Sequence, residues 1–176
     1  MSDPVIASGK IKPALLVIDV QGRFLAGITA RDKELAFFFI NLFIGLFRKH
    51  NLPIIRIYHK DEETGPLPGG EDFEYPPQIQ IRDEDVKVIK TYSDGFNKTE
   101  LDEILRAKGI NTLFLCGLSA VGCVMATRTG AFNHDYKPFI LKDAIMSHDT
   151  GYTKNIETMF DAVSYDVVRL IVENNI

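Results

Sequence analysis

The amino-acid sequence predicts a three-layer α/β/α domain built on a mostly parallel, six-stranded sheet. Apolar runs of strand length alternate along the chain with segments of helical periodicity, the order that gives right-handed crossovers and parallel pairing. Most of these runs are continuous rather than alternating, as strands covered on both faces are. The length of 176 residues suffices for one such domain and not for two. Residues 1–176 are therefore read as a single domain.

The predicted strands are, in order, ALLVID (14–19), PIIRIY (53–58), VKVIK (86–90), TLFLCG (112–117), KPFILK (137–142) and DVVRLI (166–171). A first helix covers about 32–49 and contains the most apolar run of the chain, LAFFFINLFIGLF (35–47). Its 13 residues, bracketed by RDKE and RK, fall short of the ~20 that a bilayer span needs. It reads as a core helix with more phenylalanine than one buried stripe requires, which leaves surface for a second subunit. The second helix, TELDEILRAKG (99–109), opens on a capping pattern at Thr99 and Asp102 and closes at Gly109. A third follows Cys123, and a fourth covers about 153–163. The exception to the alternation is 61–85, with nine acids, one arginine and a cluster of Pro and Gly. An insert of this length reads as a functional loop or a subunit contact.

A formal charge of −4 and a pI near 5.6 argue against a nucleic-acid partner, which requires clustered Lys and Arg. The two cysteines, Cys116 and Cys123, are too few for a disulfide framework and point to a reducing compartment. The stretch MSDPVIASGK (1–10) lacks the charged start and apolar core of a secretory signal. A cytoplasmic protein with a small-molecule partner, and with neither membrane nor nucleic acid, is expected.

In a parallel sheet ligands bind beyond the carboxyl ends of the strands. Asp19 ends the first strand, Lys90 ends VKVIK, and Cys123 lies six residues beyond TLFLCG. Singly, Asp19 reads equally as a turn cap, Lys90 as a solvated strand end and Cys123 as a small buried hydrophobe. Together they place an acid, a cation and a thiol on one edge. A carboxylate beside buried surface costs several kcal/mol unless paired, and a thiol near a helix start is polarised towards thiolate.

The combination ALLVIDVQGRF, VIKTYSDGFNKTELDEIL and LFLCGLSAVGCVMATRTGAFNHDYKPFILKDAIMS resembles the isochorismatase-like cysteine hydrolases, which include nicotinamidases and other small amidases. The resemblance covers nearly the whole chain and is weakest over 61–85. It implies a three-layer α/β fold and an Asp, Lys, Cys triad falling on Asp19, Lys90 and Cys123. It also implies a cis peptide at Ser119–Ala120 and an oxyanion site there. Gln21 and Phe24 fall where the family writes DxQxxF, and Phe96 on a frequent aromatic position, so these three are candidates for substrate contact; Phe24 and Phe96 read equally as core aromatics. Family members are commonly oligomeric, which implies a dimer or tetramer.

Two departures narrow the reading. The Asp-x-His metal pair of nicotinamidases is here Ile57, Tyr58, His59, without the acid. A two-ligand set such as His59 and Asp61 is a weak metal signal, so no metal and no cofactor are expected. Ala120 and Val121 stand where many relatives carry polar side chains, which predicts a more apolar pocket. The expected activity is hydrolysis of a small amide-type C–N bond through a thioester. The alternatives are a thiol-redox protein, and a non-catalytic binding module in which Asp19, Lys90 and Cys123 do not converge.

Overall fold

Strands form where the apolar runs lie, because only a sheet covered on both faces can bury every side chain of such a run. A computed structural model describes residues 10–174; residues 1–9, on which the expectation of no secretory signal chiefly rests, lie outside the described residues. The elements are β1 (Pro13–Ile18), α1 (Gly22–Leu25), α2 (Ala30–Lys49), β2 (Ile54–His59), β3 (Val86–Lys90), α3 (Leu101–Ala107), β4 (Thr112–Leu118), a π-helical turn (Ala120–Val124), α4 (Met125–Asn133), β5 (Lys137–Met146), α5 (Thr150–Met159) and α6 (Tyr165–Asn174).

The sheet has five strands in the order β3-β2-β1-β4-β5, every neighbouring pair parallel. β1 and β4 are buried at every position. One face packs beneath α2 and α6 through Leu15, Val17, Ile40, Phe43, Ile44, Phe47, Phe114 and Val168. The opposite face packs against α3 and the α4 segment through Leu16, Ile18, Ile57, Leu101, Leu105, Leu115 and Ala131. Each fully buried side chain of this size contributes roughly 1.5–3 kcal/mol.

The expected sixth strand is a correction: DVVRLI forms most of α6. Its β-branched content suggests a strand, but Val168 and Val172, four residues apart, are its buried positions, which is helical spacing. α2 follows its expectation as a core helix, burying Ile40, Phe43, Ile44 and Phe47 on one stripe while leaving Phe38 60% exposed. Among the described residues no helix is long and apolar enough to cross a membrane.

The acidic insert lies on the α2 side of the sheet rather than standing free. Phe73, Tyr75 and Ile79 are buried in the same core as α2. The Tyr75 hydroxyl donates to the carbonyls of Val17 (2.8 Å) and Ile57 (2.6 Å), tying the loop to β1 and β2 near their carboxyl ends. The Arg48 guanidinium on α2 grips both Asp85 carboxylate oxygens at 3.0 and 2.8 Å.

Candidate active site

The strand order reverses across β1 and β4, and this switch point opens a crevice at the carboxyl edge of a parallel sheet. Two local features let the strand ends approach there. Gly117 in β4 has φ +112°, and a Cβ on it would collide with the backbone of Ile18, so only glycine fits. Asp19, the next residue of the neighbouring chain segment, has φ +51°. Strain of this kind in a non-glycine residue persists only where the surroundings enforce it, and it gathers at functional sites.

Lys90 belongs to β3, two strands away from β1, a gap of about 10 Å that only a long side chain spans. Its Nζ donates to Asp19 Oδ2 at 2.7 Å, with both side chains essentially inaccessible to solvent. Asp19 Oδ1 is also buried and has no hydrogen-bond partner of good geometry. The neighbouring proton donor is the Cys123 thiol: a carboxylate oxygen of Asp19, a ring nitrogen of His59 and the Cys123 sulfur lie within 4.8 Å of one another. Asp19, Lys90 and Cys123 therefore meet in space, and the arrangement that a non-catalytic module predicts is absent.

The electrostatics correct one expectation. Cys123 lies inside the π-turn, after Gly122 with its non-helical φ −118° and ψ −107°, not at the first turn of a regular helix. Burial, and next the Asp19 charge, push its thiol up to about 11, with Lys90 opposing. The resting sulfur is thus a thiol, not the thiolate that a helix start would favour. Burial also raises the Asp19 carboxyl despite Lys90 and the adjacent thiol. His59 is lowered, first by burial and then by Lys90, against the pull of Asp19 and Asp61, so its imidazole is neutral.

A cavity of about 300 Å³ opens onto this group, lined by Asp19, Phe24, His59, Ser93, Leu118, Ser119, Gly122 and Cys123. That size and its mixture of apolar wall with a few polar groups suit a small ligand. Phe24 stands on the wall as the sequence suggests. Phe96 does not: it is buried, stacked on His134 at 4.8 Å between ring centroids and tilted against Tyr136 at 5.6 Å. Gln21 is a second correction. It is fully buried, accepts from His59 N at 2.7 Å and donates to His59 O at 3.0 Å, extending the β1–β2 ladder with a side chain instead of touching the cavity. The cis peptide is Leu118–Ser119, one residue before the expected Ser119–Ala120. Ser119 lines the cavity and Ala120 is buried behind it.

Ser93 and Leu118 are cavity residues that sequence reasoning missed, and His59, weighed there only as half of a weak metal pair, also lines the cavity. His59 ends β2 in register with Lys90 on β3, and the usable signal was that strand end, since three neighbouring strands must finish together. Asp61, the second residue of the two-ligand set, turns away to accept from the amides of Glu63 (2.8 Å) and Thr64 (3.2 Å) and from the Thr64 hydroxyl (2.7 Å). A cation among Asp19, His59 and Cys123 would meet the Lys90 ammonium, 2.7 Å from Asp19 and 3.1 Å from His59 Nδ1, so the donor set does not fit a metal ion.

Comparison with known proteins identifies the family and the fold. The isochorismatase domain model matches residues 13–167. The ureidoacrylate amidohydrolase RutB of Azorhizobium caulinodans is 34% identical over 101 residues, covering 54% of this chain and 44% of that protein. This chain therefore spans less than half the length of that relative. The uncharacterised isochorismatase family protein YrdC of Bacillus subtilis is 27% identical over 168 residues, covering 90% of this chain and 86% of its own. Among solved structures, the N-carbamoylsarcosine amidase of Thermoplasma acidophilum superposes with a TM-score of 0.75 at 27% identity, covering 88% of this chain and 95% of its own. A cysteine hydrolase from Pseudomonas syringae gives 0.84 at 21% identity over the full length of both chains, a likeness of fold. With the domain matched over most of its length, the chain belongs to the isochorismatase family.

Proposed function

We propose that this protein is a cysteine-dependent hydrolase that cleaves an amide-type C–N bond of a small molecule through a thioester. The observation that carries the reading is the arrangement at Asp19: one oxygen is held by Lys90, the other is buried without a hydrogen-bond partner, and the carboxylate lies beside the Cys123 thiol under the cavity. The names of the similar ureidoacrylate amidohydrolase and N-carbamoylsarcosine amidase support a C–N bond as the target.

In this mechanism Asp19 Oδ1 takes the proton from Sγ as the sulfur attacks the carbonyl carbon, so thiolate forms only with substrate in place. A carboxyl raised by burial and a thiol held protonated are suited to that concerted transfer. The tetrahedral oxyanion is held by the amide N–H groups of Ala120 and Cys123, each well-aimed donor being worth ~3 kcal/mol. The protonated Asp19 then gives its proton to the leaving nitrogen and the C–N bond breaks, leaving a thioester on Cys123. Asp19 next removes a proton from water, hydroxide adds to the thioester, and the acid departs as Sγ is reprotonated. Lys90 keeps the carboxylate oriented throughout.

A redox role would need a second thiol to resolve an oxidised Cys123. Cys116 sits in β4, fully buried, with its thiol 3.5 Å from the Leu16 carbonyl and packed into the core on the α2 side, whereas Cys123 packs against the opposite core.

The test is ammonia release from a panel of small primary amides and ureido compounds, with Cys123→Ala as control and intact mass after rapid acid quench. Turnover that vanishes in the variant, with an acyl mass on Cys123, is expected. Equal turnover by Cys123→Ala would end the proposal.

A further inference from the structure

Lys90 does more than hold Asp19. Its Nζ also lies 3.1 Å from His59 Nδ1. An ammonium has three donors and no acceptor, so the nitrogen it meets must carry a lone pair. His59 Nδ1 is therefore unprotonated, and in a neutral imidazole the proton is on Nε2. Further contacts hold the residue: Gln21 binds the His59 backbone at both its N–H and its carbonyl, and Phe24 meets the imidazole edge-on at 5.8 Å between centroids. Nε2 has no hydrogen-bond partner among the described residues, and His59 lines the cavity. A fixed N–H donor on a cavity-lining side chain thus has no acceptor among the described residues.

The rest of the lining limits what can receive it. The other polar side chains on the wall are the hydroxyls of Ser93 and Ser119, and Asp19 is the only ionisable carboxyl. No arginine or lysine lines the cavity among the described residues, and Lys90, behind Asp19, is already engaged. A ligand carboxylate would meet Asp19 without a free cation to offset the repulsion, whereas an uncharged carbonyl oxygen finds a neutral donor.

Resting on the hydrolase reading above, we infer that His59 Nε2–H is the substrate-orienting donor of the site, and that the substrates are small uncharged amides or ureides carrying a second carbonyl oxygen. Lys90 sets both the base and this donor with one ammonium: one N–H to Asp19, another to His59.

Two measurements test this. Nitrogen-15 NMR of the whole protein, assigned with a His59→Phe variant, reads the tautomer without any need for turnover. The Nε2–H form at neutral pH is expected; the Nδ1–H form or an imidazolium overturns the inference. Binding to Cys123→Ala is then compared for acetoacetamide, butanamide and the malonamate anion. Acetoacetamide is expected to bind roughly five- to tenfold more tightly than butanamide, the worth of one hydrogen bond, to move the His59 Nε2–H resonance, and to outbind malonamate. In His59→Phe the preference over butanamide should collapse. Equal affinities, tighter binding of malonamate, or no binding of any of the three overturns the substrate class. Amide hydrolysis that depends on Cys123 could still stand in each of those cases, so the two proposals fail separately.

Discussion

Asp19 and Lys90 form a buried ion pair across two strand spacings, with Nζ to Oδ2 at 2.7 Å and the second carboxylate oxygen left without a partner. The pair gives the site its fixed geometry. In the proposed mechanism the free oxygen is the base. The thiol, pushed up to about 11 by burial and by that carboxylate, waits as the proton donor.

Replacing Asp19 by Asn separates these effects. The base is lost, so turnover should fall by roughly 10²–10⁴-fold. The same change removes the charge that helps keep Cys123 protonated, so alkylation by iodoacetamide at neutral pH should become faster than in the wild type. Parallel measurement of ammonia release and alkylation rate checks this; slower alkylation in Asp19→Asn would contradict the assigned cause of the raised thiol pKa.

The pH profile follows from the direction of the Asp19 shift. Burial raises this carboxyl above its ordinary value, so it keeps its proton to higher pH than an exposed aspartate. Activity lost on acidification should therefore disappear on a limb displaced above the normal carboxylate range, as the base is protonated. A kcat/KM profile with its acid limb at the ordinary aspartate position would rule out Asp19 as the titrating base.

Lys90→Met leaves a carboxylate buried without its cation. Removing one member of a buried pair costs about 3–5 kcal/mol, and urea unfolding should show a loss of that order. The double variant Asp19→Asn, Lys90→Met removes the uncompensated charge and should regain part of it. A double variant no more stable than Lys90→Met would show that the pair's electrostatics are not the cause.

Two glycines make a contrasting pair. Gly117→Ala puts a Cβ into the Ile18 backbone at φ +112° and should cost more than about 2 kcal/mol while disturbing the approach of Asp19 to the site. Gly45 lies in the exposed part of α2, where an added methyl group would have nothing within 4 Å, and Gly45→Ala should stabilise by about 0.5–1 kcal/mol. Thermal or urea denaturation of both variants reads the contrast.

The sheet was legible because its strands are uninterrupted apolar runs, and Asp19, Lys90 and Cys123 were legible because strand ends converge in any parallel sheet. What failed depended on direction rather than composition. Phe24 and Phe96 are both aromatics near strand ends, and only the turn geometry decides that one faces the cavity and the other stacks on His134. DVVRLI carries residues common in strands, but Val168 and Val172 reveal a helical stripe once the packing against α2 is known. Gln21 lies in a motif that suggests ligand contact, yet its amide is spent on the His59 backbone. The state of the thiol was unreadable because it follows from burial and from a carboxylate distant in sequence.

The reactive groups come from the sheet edge and the π-turn, while Phe24 in the short α1 and Ser93 in the β3–α3 connection stand beside them. The two sets can vary independently. A library randomised at Phe24 and Ser93 alone should yield descendants with altered appetites and undamaged chemistry, which makes this scaffold a convenient starting material for evolving amidases with new selectivity.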